Sequence, residues 1–287
     1  MKPINYLDGF SGYGGFHLAL KNAGYEFNKC YFSEIDKYAI ANYRYNFPES
    51  IYAGSITDIP TNGIIEGLDL FTFGWPCQDN SSNGKRQGQR HGTRSGLLYA
   101  AAKVISKYKP RIFVAENVEG LYTVNKGIDI VESFRVLTYL YKNCPQYDIE
   151  MQFLDTRFFW LQSRPRLYFV GYHRGGDYSK VFPITGSSRP DNKREIREYA
   201  AKGIVSAFDL RCTYEERREV ANSLYIRNIT PVEEERIQGL PDNWTKLGNF
   251  EGVIKEIPES QRYFLTGNGV SIPVVQNILQ KLKINFS

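Results

Sequence analysis

An α/β fold with a doubly wound, mostly parallel sheet is predicted by three observations. Short apolar runs alternate with helix-period segments over the first 170 residues. A glycine-rich turn joins the first run to the first helix, and the alternation stops after Tyr172. Ile4 to Leu7 is the first run, and Gly14 to Asn22 follows it with Phe16, Ala19 and Leu20 on one helical face. Phe27 to Phe32 half-alternates as a strand, and Lys37 to Tyr45 has helical period. The apolar run Leu68 to Phe73 leads to the helix Leu97 to Lys107, and Ile112 to Ala115 leads to the helix Asp129 to Tyr141. Ile149 to Leu154 and Leu167 to Val170 complete the strands.

Beyond Tyr172 the composition changes. Between Arg174 and Arg227, eleven basic and eight acidic residues leave +3 in about 54 residues, with Gly175-Gly176, Gly186-Ser187-Ser188 and Pro190 in place of long periods. This predicts a small inserted domain at 173–226, between catalytic segments 1–172 and 227–287, although a solvated charged excursion has the same composition. From Ile229 the chain regains apolar structure and ends in an amphipathic helix near Val274 to Leu282.

With 42% hydrophobic and 15% aromatic residues in 287, general disorder is excluded. The 36 Lys and Arg against 31 Asp and Glu leave only +5, which permits a polyanionic partner without requiring one. Cys30, Cys77, Cys144 and Cys212 form no C-x-x-C pair and the three histidines are far apart, so neither a disulfide scaffold nor a metal site is expected. With no apolar leader-like run at Met1 to Asp8 and no stretch near 18 apolar residues, a cytoplasmic protein without a membrane partner is expected, monomeric by default.

Four stretches could carry chemistry. Asp8 to Phe16 places Gly12, Gly14 and Gly15 between the first strand and first helix, where a cofactor can approach the backbone. Glu34 follows the second strand, 20 residues past Gly14, placed to accept ribose hydroxyls. This pattern indicates a nucleoside-containing cofactor without separating NAD from S-adenosylmethionine. Gly74-Trp75-Pro76-Cys77-Gln78 follows an apolar strand, so Cys77 belongs to the ligand edge of a parallel sheet. A lone cysteine is often only a packing residue. Glu116-Asn117-Val118 at the end of the neighbouring strand changes that balance. A thiol and a proton-donating carboxyl on one edge suit covalent addition to an electron-poor ring.

Finally, Asn80 to Arg94 carries Lys85, Arg86, Arg90 and Arg94 with hydroxyl and amide groups such as Ser81 and Asn83 and no acid, which suits a phosphate backbone. Arg157, Arg164, Arg166 and Arg174 form a second run without an acid.

Together these motifs resemble those of the DNA (cytosine-5)-methyltransferases, in that family's order from Asp8 to about Val275. Asp8 to Phe16 resembles D-x-F-x-G-x-G-G-F, Glu34-Ile35-Asp36 the acidic second motif, and Gly74 to Gln78 the G-F-P-C-Q motif with Trp75 for Phe. Glu116-Asn117-Val118 matches E-N-V, and Gln162, Arg164 and Arg166 match Q-x-R-x-R. Arg227 to Pro241 resembles the ninth motif, and Gly267-Asn268-Gly269-Val270 the tenth.

The resemblance implies a sheet of the S-adenosylmethionine-dependent methyltransferase type, with 173–226 as target recognition domain. It implies that Cys77 adds to carbon 6 of a flipped cytosine in duplex DNA, Glu116 protonates nitrogen 3, and Arg166 holds the 2-keto oxygen. Arg164 would take a phosphate or the loop. Phe10, Gly12, Gly14, Gly15, Glu34, Ile35, Ser55, Pro76, Leu97, Asn268 and Val270 would line the S-adenosylmethionine pocket. Ser81, Asn83, Lys85, Arg86, Arg90 and Arg94 would contact DNA, with no metal.

Three positions depart from the pattern. Ser55 stands for the usual Asp, Leu161 for Pro, and Gly269 for Ser or Ala. None removes a catalytic group, and all three read as tuning. A short insert implies a short recognition sequence. The rivals are cytosine methylation of transfer RNA, some of whose enzymes carry a Cys-Phe-Thr stretch where Cys212-Thr213-Tyr214 is found here, a catalytically silent nucleic-acid binder, and a small-molecule methyltransferase or nicotinamide enzyme, which leaves the basic loop and insert unexplained. A cognate restriction endonuclease stays open as a partner.

Overall fold

The computed structural model describes residues 2–75, 96–160, 162–185 and 229–286. Seven strands form one sheet among them: β1 (Ile4–Gly9), β2 (Phe27–Ser33), β3 (Ile51–Tyr52), β4 (Leu70–Gly74), β5 (Ile112–Val118), β6 (Tyr147–Asp155) and β7 (Pro165–His173), in the order β3-β2-β1-β4-β5-β7-β6. The connecting helices are α1 (Gly15–Asn22), α2 (Lys37–Asn46), α3 (Ile59–Asn62), α4 (Leu97–Tyr108), α5 (Gly120–Thr123) and α6 (Ile128–Tyr139).

The predicted doubly wound fold is present, with its predicted strands and helices within a few residues of their expected bounds. The first five strands are mutually parallel, and β7 runs antiparallel to both β5 and β6. The reversal follows from the β6–β7 connection, which is too short for the crossover that a parallel pair requires. α6 stops at Tyr139 because Leu140 and Tyr141 take left-handed φ values of 48° and 64°.

Both sheet faces are covered. On one, Tyr6, Val114 and Val170 pack with Phe16, Leu20 and residues of the C-terminal helix Ile272–Leu282. On the other, Leu7, Phe71 and Phe113 pack with Leu98 and Ile105 of α4 and Leu137 of α6. The last segment adds the helix Pro231–Gln238, a separate hairpin of β8 (Leu247–Phe250) and β9 (Val253–Glu256), and the helix Glu259–Asn268. The helix Pro231–Gln238 opens on a capping box between Thr230 and Glu233 and ends at Gly239.

Residues 179–185 also lie on this core. Val181 and Ile184 are buried, and Ile184 exchanges hydrogen bonds in both directions with the side chain of Gln152. The remainder of the expected inserted domain lies outside the described residues.

Strand order reverses between β2 and β4 on either side of β1, which makes the carboxyl ends of β1 and β4 the switch point where such sheets bind ligands. Ser33, Gly9, Phe73 and Ala115 stand in one row across four strands. One residue further along come Glu34, Phe10, Gly74 and Glu116. Register alone therefore lines up the acids that the sequence singles out.

Candidate active site

β1 runs straight into the glycine turn, where Phe10 takes a left-handed φ of 52°, rare for a bulky residue. A side chain at Gly12 would enter open space, so the loop forms a shallow cradle there. Gly14 and Gly15 open α1, and Gly15 admits Val270, since a Cβ on it would lie 2.7 Å from Val270 Cγ2.

Glu34 closes the turn from the side. Its Oε2 accepts the Gly12 N–H at 2.9 Å, and its Oε1 accepts those of Ile35 at 2.7 Å and Asp36 at 3.1 Å. Three of a carboxylate's roughly four acceptor positions are thus used to aim it, which leaves one for a hydroxyl. Ile35 beside it is 76% exposed, an apolar side chain standing in water. Asp36 caps α2 through the N–H groups of Tyr38 and Ala39.

Gly54 and Ser55 follow β3. The Ser55 hydroxyl lies 2.9 Å from that of Thr57, and the Gly54 carbonyl accepts from Ser33 Oγ. Leu97 starts α4 and packs on the second core. Asn268 ends its helix with its amide turned back to the Phe264 carbonyl, and Val270 is buried. An aimed carboxylate, an exposed apolar side chain and an open glycine cradle suit a nucleoside-bearing cofactor.

The second part of the site begins where β4 meets β5. Gly74 pairs with Glu116, and a Cβ on Gly74 would lie 3.2 Å from Glu116 Oε2, so the glycine leaves room for the carboxylate. Asn117 Nδ2 donates to the Trp75 carbonyl at 3.1 Å, tying the second strand to the chain two residues before Cys77. Glu116 Oε1 lies 2.9 Å from Arg166 Nε, with both side chains largely buried. Tyr168 is the cross-strand neighbour of Glu116. Its hydroxyl is buried without a hydrogen-bond partner among the described residues, and burial first, then Glu116, push its pKa up.

Arg164 makes a different use of its charge from Arg166. Its Nη2 donates to the carbonyls of Gly267 at 3.0 Å and Gly269 at 2.7 Å. Burial, then the neighbouring Arg166, pull this guanidinium below its ordinary value. The arginine run also divides. Arg157 pairs with Asp155, and Arg174 pairs with Asp148 at the opposite end of β7 from Arg166. It is not one strip facing a phosphate chain.

Pro76, Cys77 and the expected DNA contacts Ser81, Asn83, Lys85, Arg86, Arg90 and Arg94 lie outside the described residues. Sequence reasoning passed over Tyr13, Asn117 and Tyr168 as functional residues. Asn117 and Tyr13 lie inside recognised motifs, Tyr13 at a variable position of the first, whereas Tyr168 is signalled only by tertiary contacts. Among the described residues, no group of three or more His, Cys, Asp or Glu could hold a metal, and no helix is long and apolar enough to cross a membrane.

The family model of the C-5 cytosine-specific DNA methylases matches residues 4–209 and 206–284. The Type II methyltransferase M.BsuFI of Bacillus subtilis is 29% identical over 98% of this chain and 72% of its own length. M.HpaII of Haemophilus parainfluenzae is 28% identical over 98% of this chain and 90% of its own. Among solved structures, the Schizosaccharomyces pombe methyltransferase Dnmt2 shares the fold with a TM-score of 0.67 at 18% identity, over 99% of both chains. The Entamoeba histolytica methyltransferase EhMeth does so at 0.66 and 17%, over all of both.

Proposed function

The chain belongs to the C-5 cytosine-specific DNA methylases and is a DNA cytosine-5-methyltransferase, and from that premise we propose how its residues divide the reaction. The substrate is a cytosine turned out of duplex DNA, and the nucleophile is Cys77. The observation that carries this reading is the Glu116–Arg166 pair, 2.9 Å apart at the end of β5 and beside Gly74, three residues before Cys77.

The Cys77 thiolate adds to ring carbon 6 as the Glu116 carboxyl gives its proton to ring nitrogen 3. Carbon 5 thereby becomes a nucleophile. Phe10, Gly12, Glu34, Ile35, Ser55 and Val270 would hold S-adenosylmethionine, which when bound would supply a sulfonium methyl group to carbon 5 and leave as the neutral thioether. Loss of the carbon-5 proton to a base reforms the ring double bond and expels the Cys77 thiolate, and nitrogen 3 returns its proton to Glu116. Arg166 keeps the Glu116 carboxyl in place and takes the 2-keto oxygen.

Turning a base out of the duplex costs a few kcal/mol. In this reading, phosphate and groove contacts from Lys85, Arg86, Arg90 and Arg94, with Ser81 and Asn83, offset it. Segment 173–226 reads a short sequence from its anchorage on Gln152. Because M.BsuFI and M.HpaII are Type II methyltransferases, a cognate restriction endonuclease belongs to the same proposal.

The test is transfer of labelled methyl from S-adenosylmethionine to duplex DNA and to transfer RNA, together with trapping on 5-fluorocytosine DNA. Label in DNA, and a covalent adduct lost in Cys77→Ala, are expected. Label in transfer RNA alone, or an adduct that survives Cys77→Ala, would overturn it.

A further inference from the structure

The tenth-motif loop, Gly267 to Val270, is held through its own backbone. Tyr13 Oη donates to the Val270 carbonyl, and Arg164 Nη2 donates to those of Gly267 and Gly269. Tyr13 is itself fixed, since it is 1% exposed and Trp244 Nε1 donates to its carbonyl at 3.0 Å. Its ring also accounts for the departure at 269. A Cβ on Gly269 would lie 1.8 Å from Tyr13 Cε1. Backbone conformation does not demand glycine there, because Gly269 has φ −82° and ψ 174°, open to any residue. What excludes a side chain is the tyrosine ring.

Arg164 stands two residues before Arg166, the partner of Glu116. One short stretch therefore serves the base through Arg166 and the loop through Arg164. We propose that Tyr13 and Arg164 are a positioning pair that holds the 267–270 loop by three carbonyls against the glycine turn, and so sets affinity for S-adenosylmethionine. The proposal rests on the reading of that loop as part of the cofactor pocket. Neither residue touches the reacting atoms. Tyr13 and Gly269 are one unit, each fitted to the other.

The test measures binding of labelled S-adenosylmethionine to the full chain by equilibrium dialysis without DNA, and steady-state constants on duplex DNA. Tyr13→Phe and Arg164→Lys should each raise the dissociation constant about 10-fold, because the first takes the donor from the buried Val270 carbonyl and the second replaces the planar guanidinium that spans the Gly267 and Gly269 carbonyls. The rise should fall on KM for S-adenosylmethionine more than on kcat. Gly269→Ala should weaken binding at least as much, and the double variant Tyr13→Leu with Gly269→Ala should bind better than Gly269→Ala alone.

Unchanged binding in Tyr13→Phe and Arg164→Lys would overturn the proposal, as would a Gly269→Ala protein that binds normally beside an intact Tyr13. Wild-type protein that binds no S-adenosylmethionine would instead remove the cofactor reading beneath it.

Discussion

On the cofactor side, Glu34 accepts three main-chain N–H groups, and donors from Tyr13 and Arg164 hold three carbonyls of the 267–270 loop. On the target side, Glu116 Oε1, Gln162 Oε1, Arg164 Nε and Tyr168 Oη are buried without a hydrogen-bond partner among the described residues. Glu116 Oε1 is close to Arg166 Nε yet out of line for a hydrogen bond. An unpaired buried polar group costs about 1–3 kcal/mol. The two sides therefore carry different strain. In the proposed reading, backbone contacts prebuild the cofactor pocket, whereas the target edge retains donors and acceptors for an incoming polar ring. Arg164 belongs to both, with Nη2 committed to the loop and Nε unpaired.

Replacing one acid on each side should give the largest effects. Glu116→Gln should lower kcat by about 10²- to 10⁴-fold, the usual contribution of a positioned acid. Glu34→Gln should instead act on binding, raising the dissociation constant for S-adenosylmethionine by about 10- to 100-fold. Single-turnover methylation and equilibrium dialysis separate the two effects. If Glu116→Gln weakened cofactor binding as much as Glu34→Gln does, the division between the sides would be lost.

This division was only half legible in the sequence. Glu34 and Glu116 are readable because each follows a predicted strand, half-alternating in one case and apolar in the other, and a parallel sheet puts such ends on one edge. Arg166 and Gly74 were readable as motif members, although what Gly74 leaves room for needed the register with Glu116. Tyr13 was hidden among glycines, because its contacts with Val270 and Gly269 join residues more than 250 positions apart. β3 escaped notice because two residues carry no period. The β8–β9 hairpin was also missed, although Glu251 and Gly252 at its turn both take positive φ, 54° and 93°. A Glu-Gly pair is a weaker turn signal than Asn-Gly or Asp-Gly.

Asp8 and Ser11 are exceptions on the cofactor side, since Asp8 Oδ2 and Ser11 Oγ are also buried without partners. Asp8 shares this floor with Thr72, Tyr6, His17 and Tyr43. Burial pushes the Asp8 carboxyl well up, and burial first, then Lys21, push His17 down to about 3. The signs are opposite. Below its ordinary value of 6.5, His17 takes a proton only when unfolded, so its part of the stability is lost as pH falls toward about 3.

Above its ordinary 3.8, Asp8 releases a proton only when unfolded, so its part is lost as pH rises toward its folded value. Each slope amounts to about 1.4 kcal/mol per pH unit, or tenfold in the folding constant. Asp8→Asn should therefore gain on the wild type as pH rises above 3.8, with the gap widening until Asp8 ionises in the folded state. Urea unfolding from pH 5 to 9 measures that gap. A gap independent of pH would mean that the floor of the cofactor turn carries an ionised carboxylate.

The smallest effect sharpens the same comparison at Ser55. Its hydroxyl is drawn into a turn with Thr57, 2.9 Å away, beside the open space at Gly54. A neutral hydroxyl makes a weaker hydrogen bond than a carboxylate, by about 1 kcal/mol. Ser55→Asp should accordingly tighten S-adenosylmethionine binding about 5-fold, by offering a charged acceptor to an adenine amino group. The gain should appear in the dissociation constant, because Ser55 follows β3, which lies four places along the sheet from the β5 strand that carries Glu116. Unchanged or weaker binding would show that the Ser55–Thr57 turn, rather than a contact with adenine, is what this position supplies.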